Sequence, residues 1–239
     1  MKTIIIIPAR LASTRLPNKP LADIGGMPMI VRVWQRAMAA NIGEVVVACD
    51  GEAIARAITN AGGKVVLTDP DLPSGSDRIY AALTQIDPQK TYEAVVNVQG
   101  DMPLLDPAII VRAVALLDNP AVAIGTLAAP LQEGEEDDSS VVKVAMGYDA
   151  SPMAGTAVSF SRAHKPGAFH HIGIYAYQRA ALERFVSLPP SDNEQREKLE
   201  QLRAMDAGMR IDVAVVDVIP LGVDTPEGLE KARKLIMSS

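Results

Sequence analysis

Three cations and two hydroxyl side chains lie close together in the segment Pro8–Leu21. They are Arg10, Ser13, Thr14, Arg15 and Lys19. The three prolines of the segment stiffen it and prevent a regular helix. Each guanidinium group can form bidentate hydrogen bonds with phosphate oxygens, so the segment suits the binding of a triphosphate. The alternative is a solvated basic loop.

Two aspartates stand in short turn-like segments farther along the chain. Asp101 lies in Asn97–Pro103 (NVQGDMP), and Asp224 lies in Gly222–Glu230 (GVDTPEGLE). Magnesium takes a few protein oxygens together with phosphate oxygens, so carboxylates facing bound phosphates are natural ligands for it. Each aspartate also has a local interpretation: Asp101 as a turn residue, and Asp224 as an acid beside a positive helix end.

The segment Pro73–Arg78 (PSGSDR) could also contact an anion or a base. Ser74, Gly75 and Ser76 open a predicted helix, where free backbone N–H groups point outward. Ordinary N-capping by Ser76 is the simpler interpretation, and both can hold together.

The elements that must position these residues alternate between strand and helix as far as residue 117. Short apolar runs, typical of strands buried on both faces, alternate with helical patterns and indicate a parallel sheet with covering helices. The predicted strands are Ile4–Ile7, Val45–Ala48, Val65–Leu67 and Val95–Val98, and the helices are Met29–Ala40, Glu52–Ala61 and Asp77–Ile86. Ligands bind beyond the carboxyl ends of such strands, and the segments with the candidate ligand-binding residues follow predicted strands.

The later part of the chain is richer in strands. These are predicted at Val122–Leu127, Val141–Ala145, Ala157–Ser161, Ile172–Tyr177 and Ile211–Ile219. One helix is predicted over Asn193–Met205, and a closing helix over Thr225–Met237 has Thr225 as N-cap and Pro226 at its first position. We expect a single domain over residues 1–239, with a β-rich part at about residues 121–218.

Composition and charge limit the class of protein. Apolar residues make up 48% of the chain, enough for a full core, and the net charge of −6 argues against broad binding to nucleic acid or an anionic membrane. Cys49 is the only cysteine, so neither an internal disulfide nor a CxxC metal motif exists. The apolar run Ile4–Ile7 is too short for a signal peptide or a membrane span. We therefore expect a soluble, cytoplasmic protein.

Motifs of other nucleotide-binding classes are missing. No GxxxxGK[ST] occurs, and no GxGxxG follows the first strand, which disfavours P-loop and dinucleotide-binding folds. A nicotinamide-binding oxidoreductase and a non-catalytic nucleotide-binding module remain as remote alternatives.

The motifs together resemble one enzyme family. IPARLASTRLPNKPL, SGSDR, NVQGD, HIGIYAY, LEQLR and GVDTPE occur in the order found in the 3-deoxy-manno-octulosonate (Kdo) cytidylyltransferases, and the resemblance spans residues 3–236. It implies a Rossmann-like α/β nucleotidyltransferase fold with a mostly parallel sheet and a β-rich sugar-binding and dimerisation part. It also implies a homodimer that uses CTP, Kdo and Mg²⁺ in lipopolysaccharide biosynthesis. From charge and hydropathy we expect neither a nucleic-acid nor a membrane partner.

The resemblance also implies roles for individual residues. The expected nucleotide-binding residues are Arg10, Ser13, Arg15, Lys19, Ser74, Gly75, Arg78 and Gln99. The expected sugar-binding residues are Gln99, Arg162, His171, Tyr175, Glu200 and Gln201. Asp101 and Asp224 match the two metal-binding aspartates, and the expected catalytic residues are Arg15, Lys19, Asp101 and Asp224.

Two positions and one stretch depart from the family pattern. Met102 stands where many members have Glu, Asn18 replaces a common Gly, and the stretch Ser161–His171 is shorter than in several members. Asn tolerates the left-handed backbone that Gly would adopt at position 18. The short stretch bears on the choice of sugar, so 8-amino-Kdo and other ulosonic or sialic acids stay open as alternative substrates.

Overall fold

The computed structural model describes residues 1–13, 15–151, 153–163 and 165–238, with the backbone alone for 148–151. Thr14, one of the hydroxyl residues of the first loop, lies outside the described residues. The chain divides into two compact units. The first comprises Met1–Ile110 and Pro220–Ser239, and the second comprises Val111–Ile219. The expectation of one domain over the whole chain stays a prediction.

Four parallel strands form the sheet of the first unit, in the order β5-β4-β1-β6. They are β1 (Thr3–Ala9), β4 (Gly43–Cys49), β5 (Lys64–Leu67) and β6 (Ala94–Asn97). The run Ile4–Ile7 is completely buried in β1, as expected of a central strand covered on both faces. Cys49 is also buried and unpaired, so it packs as a small apolar residue.

Helices α1 (Met29–Ala39), α2 (Glu52–Asn60) and α3 (Gly75–Ile86) pack against these strands. The hairpin of β2 (Asp23–Ile24) and β3 (Met27–Pro28) precedes α1. Its turn residues Gly25 and Gly26 have φ angles of 58° and 79°, which is the backbone that a two-residue type I′ turn requires.

The closing helix of the first unit is α8 (Pro226–Met237). The Thr225 side chain accepts a hydrogen bond from the Gly228 N–H and Pro226 occupies the first turn, so both parts of the predicted N-terminus are confirmed.

The second unit is β-rich. Its strands β7 (Ile124–Ala129), β8 (Lys143–Ser151), β9 (Ala154–Ser161), β10 (Phe169–Gln178) and β11 (Ile211–Val215) run in the order β10-β7-β11-β9-β8. β8 also pairs with β10, so these strands close on themselves. All the pairings are antiparallel except that of β11 with β7.

The remaining helices correct the sequence prediction at several points. The chain forms α4 (Pro107–Ala115) and α5 (Arg179–Ser187), which the patterns did not predict. The single helix predicted over Asn193–Met205 is instead two short helices, α6 (Asp192–Glu197) and α7 (Gln201–Asp206). They separate at Lys198, whose φ of 55° places it in the left-handed region and ends α6.

Candidate active site

Asp101 and Asp224 come together in the first unit through a backbone contact. Asp101 lies in the turn that follows β6, and Asp224 immediately precedes the N-cap of α8. Between them, the N–H of Val223 donates a hydrogen bond of 2.9 Å to the carbonyl oxygen of Asp101. Two carboxylates from distant parts of the sequence therefore share one edge of the parallel sheet, beyond the carboxyl ends of its strands.

The Lys19 ammonium group lies between these two carboxylates. Its Nζ is 2.8 Å from Asp101 Oδ2 and 2.8 Å from Asp224 Oδ1. Burial lowers the Lys19 pKa, but the charges and hydrogen bonds of the two aspartates outweigh burial and raise this pKa above its ordinary value. Lys19 is therefore a fixed positive charge at neutral pH.

The loop conformation that delivers Lys19 depends on its neighbour. Asn18 has φ and ψ of 54° and 30° and precedes a short 3-10 helix over Lys19–Leu21. Asn adopts this left-handed backbone more readily than most other residues that carry a side chain.

Other cations of this loop are more exposed. Arg15 contacts Asp224 Oδ2 through its guanidinium at 3.2 Å while 66% of its side chain is exposed. Burial raises the Asp224 pKa, but the hydrogen bond from Lys19 and the charges of Lys19 and Arg15 leave it below its ordinary value. Arg10 is exposed and Ser13 half-buried on the same loop. The loop thus brings Arg15 and Lys19 to the aspartates and leaves Arg10 accessible to a ligand.

Asp50 anchors the start of this loop, and the sequence patterns did not single it out. Its Oδ1 accepts a hydrogen bond of 3.0 Å from the backbone N–H of Leu11. The Leu11 side chain in turn approaches Gly51 so closely that a Cβ there would lie 2.7 Å from Leu11 Cδ1. The signal that could have found Asp50 is its position directly after β4, at the same sheet edge as the loop.

The start of α3 corrects one prediction about capping. Ser74, and not Ser76, is the N-cap: its Oγ accepts the Asp77 N–H at 3.1 Å and its hydroxyl donates to Asp77 Oδ2 at 2.7 Å. Ser76 is buried. The helix accordingly begins at Gly75, two residues earlier than predicted, and Gly75 occupies its first turn.

Arg78 reaches the neighbouring loop and not open solvent. Its side chain is almost wholly buried, and its guanidinium donates to Thr68 Oγ1 at 2.6 Å and to the Asp69 carbonyl at 3.2 Å. The structure therefore shows Arg78 holding this loop, and its expected role in nucleotide binding stays a prediction.

Gln99 and Gly100 lie just before Asp101. The Gln99 Nε2 atom donates to Asn97 Oδ1 at 3.4 Å. At Gly100, an added Cβ would lie 3.0 Å from the carbonyl oxygen of Pro8. A glycine suits this position because a side chain here would require the end of β1 to shift by a few tenths of an ångström.

The donor chemistry of this site fits one magnesium ion. Across the described ranges no group of three or more His, Cys, Asp or Glu side chains converges, so the available protein ligands are the two aspartates. That small number suits magnesium, which completes its shell with phosphate oxygens and water. The carboxylates already face a cation, the Lys19 ammonium, which shows that their geometry accommodates positive charge between them.

In the second unit, His171 and Tyr175 lie together on β10. Their ring centroids are 5.6 Å apart, and Phe160 packs edge-on against His171 at 4.9 Å. Burial, with a smaller effect from His170, lowers the His171 pKa to about 3. The ring is therefore neutral at physiological pH.

The other expected sugar-binding residues differ in how they are held. Burial, and then the neighbouring Tyr177 and the charge of Glu200, raise the Tyr175 pKa well above its ordinary value. Gln201 is buried at the start of α7.

Arg162 follows the end of β9 and donates from one guanidinium nitrogen to the carbonyls of Ser139 and Ser140, both at 3.2 Å. Lys143, which is 1% exposed, donates to the Arg162 carbonyl at 3.0 Å. The sequence patterns did not single out Lys143, because its burial depends on packing against the end of β9, 19 residues farther along the chain.

Comparison with known proteins identifies the family. Residues 4–211 match the family model described as cytidylyltransferase. A 3-deoxy-manno-octulosonate cytidylyltransferase of Methylorubrum populi is 57% identical, over 98% of this chain and 96% of its own length. One of Rhodopseudomonas palustris is 56% identical, over 98% of both chains. The chain belongs to the 3-deoxy-manno-octulosonate cytidylyltransferase family.

Similarity to solved structures supports this family assignment. A CMP:2-keto-3-deoxy-manno-octonic acid synthetase complexed with CTP matches with a TM-score of 0.90 and 38% identity, over 100% of this chain and 99% of the other. A cytidylyltransferase from Leptospira borgpetersenii matches with a TM-score of 0.66 at 19% identity, over 100% of this chain and 88% of its own, which shows the common fold alone. The predicted α/β nucleotidyltransferase fold is confirmed. No helix in the described ranges has the length and apolar character to cross a membrane.

Proposed function

We propose that this cytidylyltransferase converts CTP and Kdo to CMP-Kdo and pyrophosphate. The observation that carries the proposal is the convergence of Lys19, Asp101 and Asp224 at the ligand edge of the sheet, in a chain more than half identical to relatives named for this sugar acid. The CTP complex of the structurally similar synthetase supports CTP as the nucleotide.

The reaction needs no covalent enzyme intermediate. The anomeric 2-hydroxyl of the sugar attacks the α-phosphorus of CTP in line, and pyrophosphate leaves from the opposite side. Catalysis then depends on positioning the two substrates and neutralising charge as the transition state forms. Lys19 and Arg15 would stabilise the negative charge that grows on the departing pyrophosphate.

Asp101 and Asp224 would hold magnesium, which when bound neutralises phosphate charge and lowers the pKa of the attacking hydroxyl. Lys19 would exchange part of its contact with the aspartates for the phosphate oxygens of CTP. An ammonium group on a flexible stem suits such an exchange because its three donors can reorient between partners.

The sugar side of the site is proposed to lie around His171, Tyr175 and Glu200, with Arg162 as the charged ligand of the sugar carboxylate. Gln99 is proposed to contact both substrates, and Gln201 the sugar. The homodimer, the cytoplasmic location and the role in lipopolysaccharide biosynthesis are part of the same proposal.

The choice of sugar is tested by measuring pyrophosphate release from CTP with Kdo, 8-amino-Kdo and sialic acid in parallel. We expect Kdo to give the highest kcat/KM. Preference for 8-amino-Kdo or sialic acid would keep the cytidylyl transfer and overturn the sugar assignment. Absence of pyrophosphate release with every sugar acid would overturn the function itself.

A further inference from the structure

Thr126 on β7 makes a buried contact with the His171 ring. The Thr126 side chain is 0% exposed, and its Oγ1 lies 3.0 Å from His171 Nε2. The register of β10 against β7 shifts between Ile172 and Tyr175. This irregularity brings the carbonyl groups of both Ile172 and Ile174 to the same hydroxyl, at 3.3 and 2.8 Å.

These distances determine the direction of the Thr126–His171 hydrogen bond. A hydroxyl has one proton to donate, and a carbonyl oxygen can only accept. The Thr126 proton goes to the Ile174 carbonyl, because directing it at the ring would leave two carbonyl oxygens facing an oxygen lone pair. Thr126 Oγ1 must therefore accept from His171, and the ring carries its proton on Nε2.

The opposite ring nitrogen is then an acceptor. A neutral imidazole with a proton on Nε2 has a lone pair on Nδ1. The ring is neutral because burial lowers its pKa to about 3. Only 7% of His171 is exposed, and no hydrogen bond to Nδ1 comes from the side chains or backbone of the described part of the protein. Nδ1 is not one of the buried side-chain atoms that lack a partner, so this edge of the otherwise buried ring is accessible and can accept a hydrogen bond from a ligand.

We propose that Thr126 is a positioning residue that fixes His171 with its proton on Nε2, so that Nδ1 accepts a hydrogen bond from a hydroxyl group of the sugar. A carboxylate has no proton to donate at neutral pH and would be repelled by the Nδ1 lone pair. His171 therefore selects a hydroxyl, and the sugar carboxylate is held by another group. Naming the sugar as the donor rests on the proposed function, whereas the position of the ring proton does not.

The first experiment measures the ring proton directly, without substrate. Protein labelled with nitrogen-15 in its histidines gives two-bond proton–nitrogen correlations that distinguish the two neutral tautomers, and His171→Asn identifies the signal of His171. We expect a protonated Nε2 and an unprotonated Nδ1 in the wild type and in Thr126→Ser, and mixed tautomers in Thr126→Val. A proton on Nδ1 of the wild type, or an unchanged spectrum in folded Thr126→Val, would overturn the proposal.

The second experiment identifies the donor. Kinetic constants are measured for the accepted sugar acid and for analogues that each lack one hydroxyl, with wild type and His171→Leu. We expect His171→Leu to raise the sugar KM about 2- to 10-fold, the range of one neutral hydrogen bond, with the CTP KM unchanged. For one deoxy analogue the two proteins should have equal KM values.

If His171→Leu raised the KM by the same factor for every deoxy analogue as for the full sugar acid, the proposed contact between His171 and a sugar hydroxyl would be contradicted. Thr126→Val should raise the sugar KM in the same direction as His171→Leu, and Thr126→Ser should restore it, since serine keeps the hydroxyl. A general structural role would instead lower kcat or impair both substrates. If no sugar acid supports pyrophosphate release, the proposed function fails, and the nitrogen-15 spectra still decide the tautomer.

Discussion

The N–H of Val223 donates a 2.9 Å hydrogen bond to the carbonyl oxygen of Asp101. This bond joins the turn after β6 to the segment that opens α8, so it holds Asp224 beside Asp101. The Lys19 ammonium then meets both carboxylates at 2.8 Å. The charged centre of the site therefore combines a backbone hydrogen bond with ion pairs between side chains.

Replacing either aspartate by asparagine tests the metal assignment. Asp101→Asn and Asp224→Asn keep the side-chain shape and remove one negative charge. We expect each to lower kcat by at least about 10²-fold at saturating magnesium, the scale of one lost electrostatic contact in a transition state. Asp106→Asn, on an exposed residue near Asp101, is the matched control. Unchanged turnover in Asp101→Asn would refute the metal role.

Arg15→Ala should separate catalysis from folding. The Arg15 side chain is 66% exposed and its ion pair with Asp224 is 3.2 Å long, so its loss should cost less than about 1 kcal/mol of stability. Loss of the Arg15 contact with the leaving pyrophosphate should lower kcat about 10- to 100-fold. The measurements are the thermal midpoint and steady-state kinetics. A large fall in the midpoint with normal kinetics would instead show that the basic loop is structural.

Features that depend on neighbouring residues are predictable from this sequence, whereas features that depend on distant segments are not. Local sequence predicted the Thr225–Pro226 helix start, because this start depends on one residue and its immediate neighbours. At Asn18 the family resemblance indicated only that a left-handed backbone is tolerated, and the structure has that backbone. Local sequence did not predict the break at Lys198, since charged residues at helical spacing continue on both sides of that position.

The candidate site shows the same division. Strand order alone indicates that the segment after β1 and Asp101 share an edge, because the carboxyl ends of parallel strands lie together. The bridging position of Lys19 between two aspartates depends on how three distant segments pack. The Thr126–His171 contact depends on an irregular register of two strands, which no periodicity in either strand reveals.

Protonation of Asp224 should contribute to acid unfolding. Its pKa is lowered in the folded protein by Lys19 and Arg15 despite the opposing effect of burial. A carboxyl group whose pKa is lowered by folding stabilises the folded protein when the pH is above its ordinary pKa of 3.8. This stabilisation is lost as the pH falls through the lowered pKa of the folded state. In urea unfolding, the free energy of unfolding should be larger for wild type than for Asp224→Asn at pH 7. This difference should shrink below about pH 4. A difference independent of pH would contradict the charge contribution.

Arg162→Ala should act on the sugar and not on CTP. A charged donor that grips a carboxylate in both ground and transition states contributes uniform binding, so its loss raises KM more than it lowers kcat. We expect the KM for Kdo to rise about 10- to 100-fold. Lys165→Ala, which removes a nearby exposed cation bonded to Ser159, is the control. A raised KM for CTP would place Arg162 in the nucleotide site.

The most direct test of the account follows the oxygen atom that attacks CTP. Kdo is labelled with oxygen-18 at its anomeric hydroxyl, and the products are separated and weighed by mass spectrometry. The account predicts one pyrophosphate for each CMP-Kdo, with the label in the bridge between sugar and phosphorus and none in the pyrophosphate. Label in the pyrophosphate would contradict attack by the sugar hydroxyl on the α-phosphorus. So would an unlabelled bridging oxygen, when the reaction is complete before the anomeric oxygen exchanges with water.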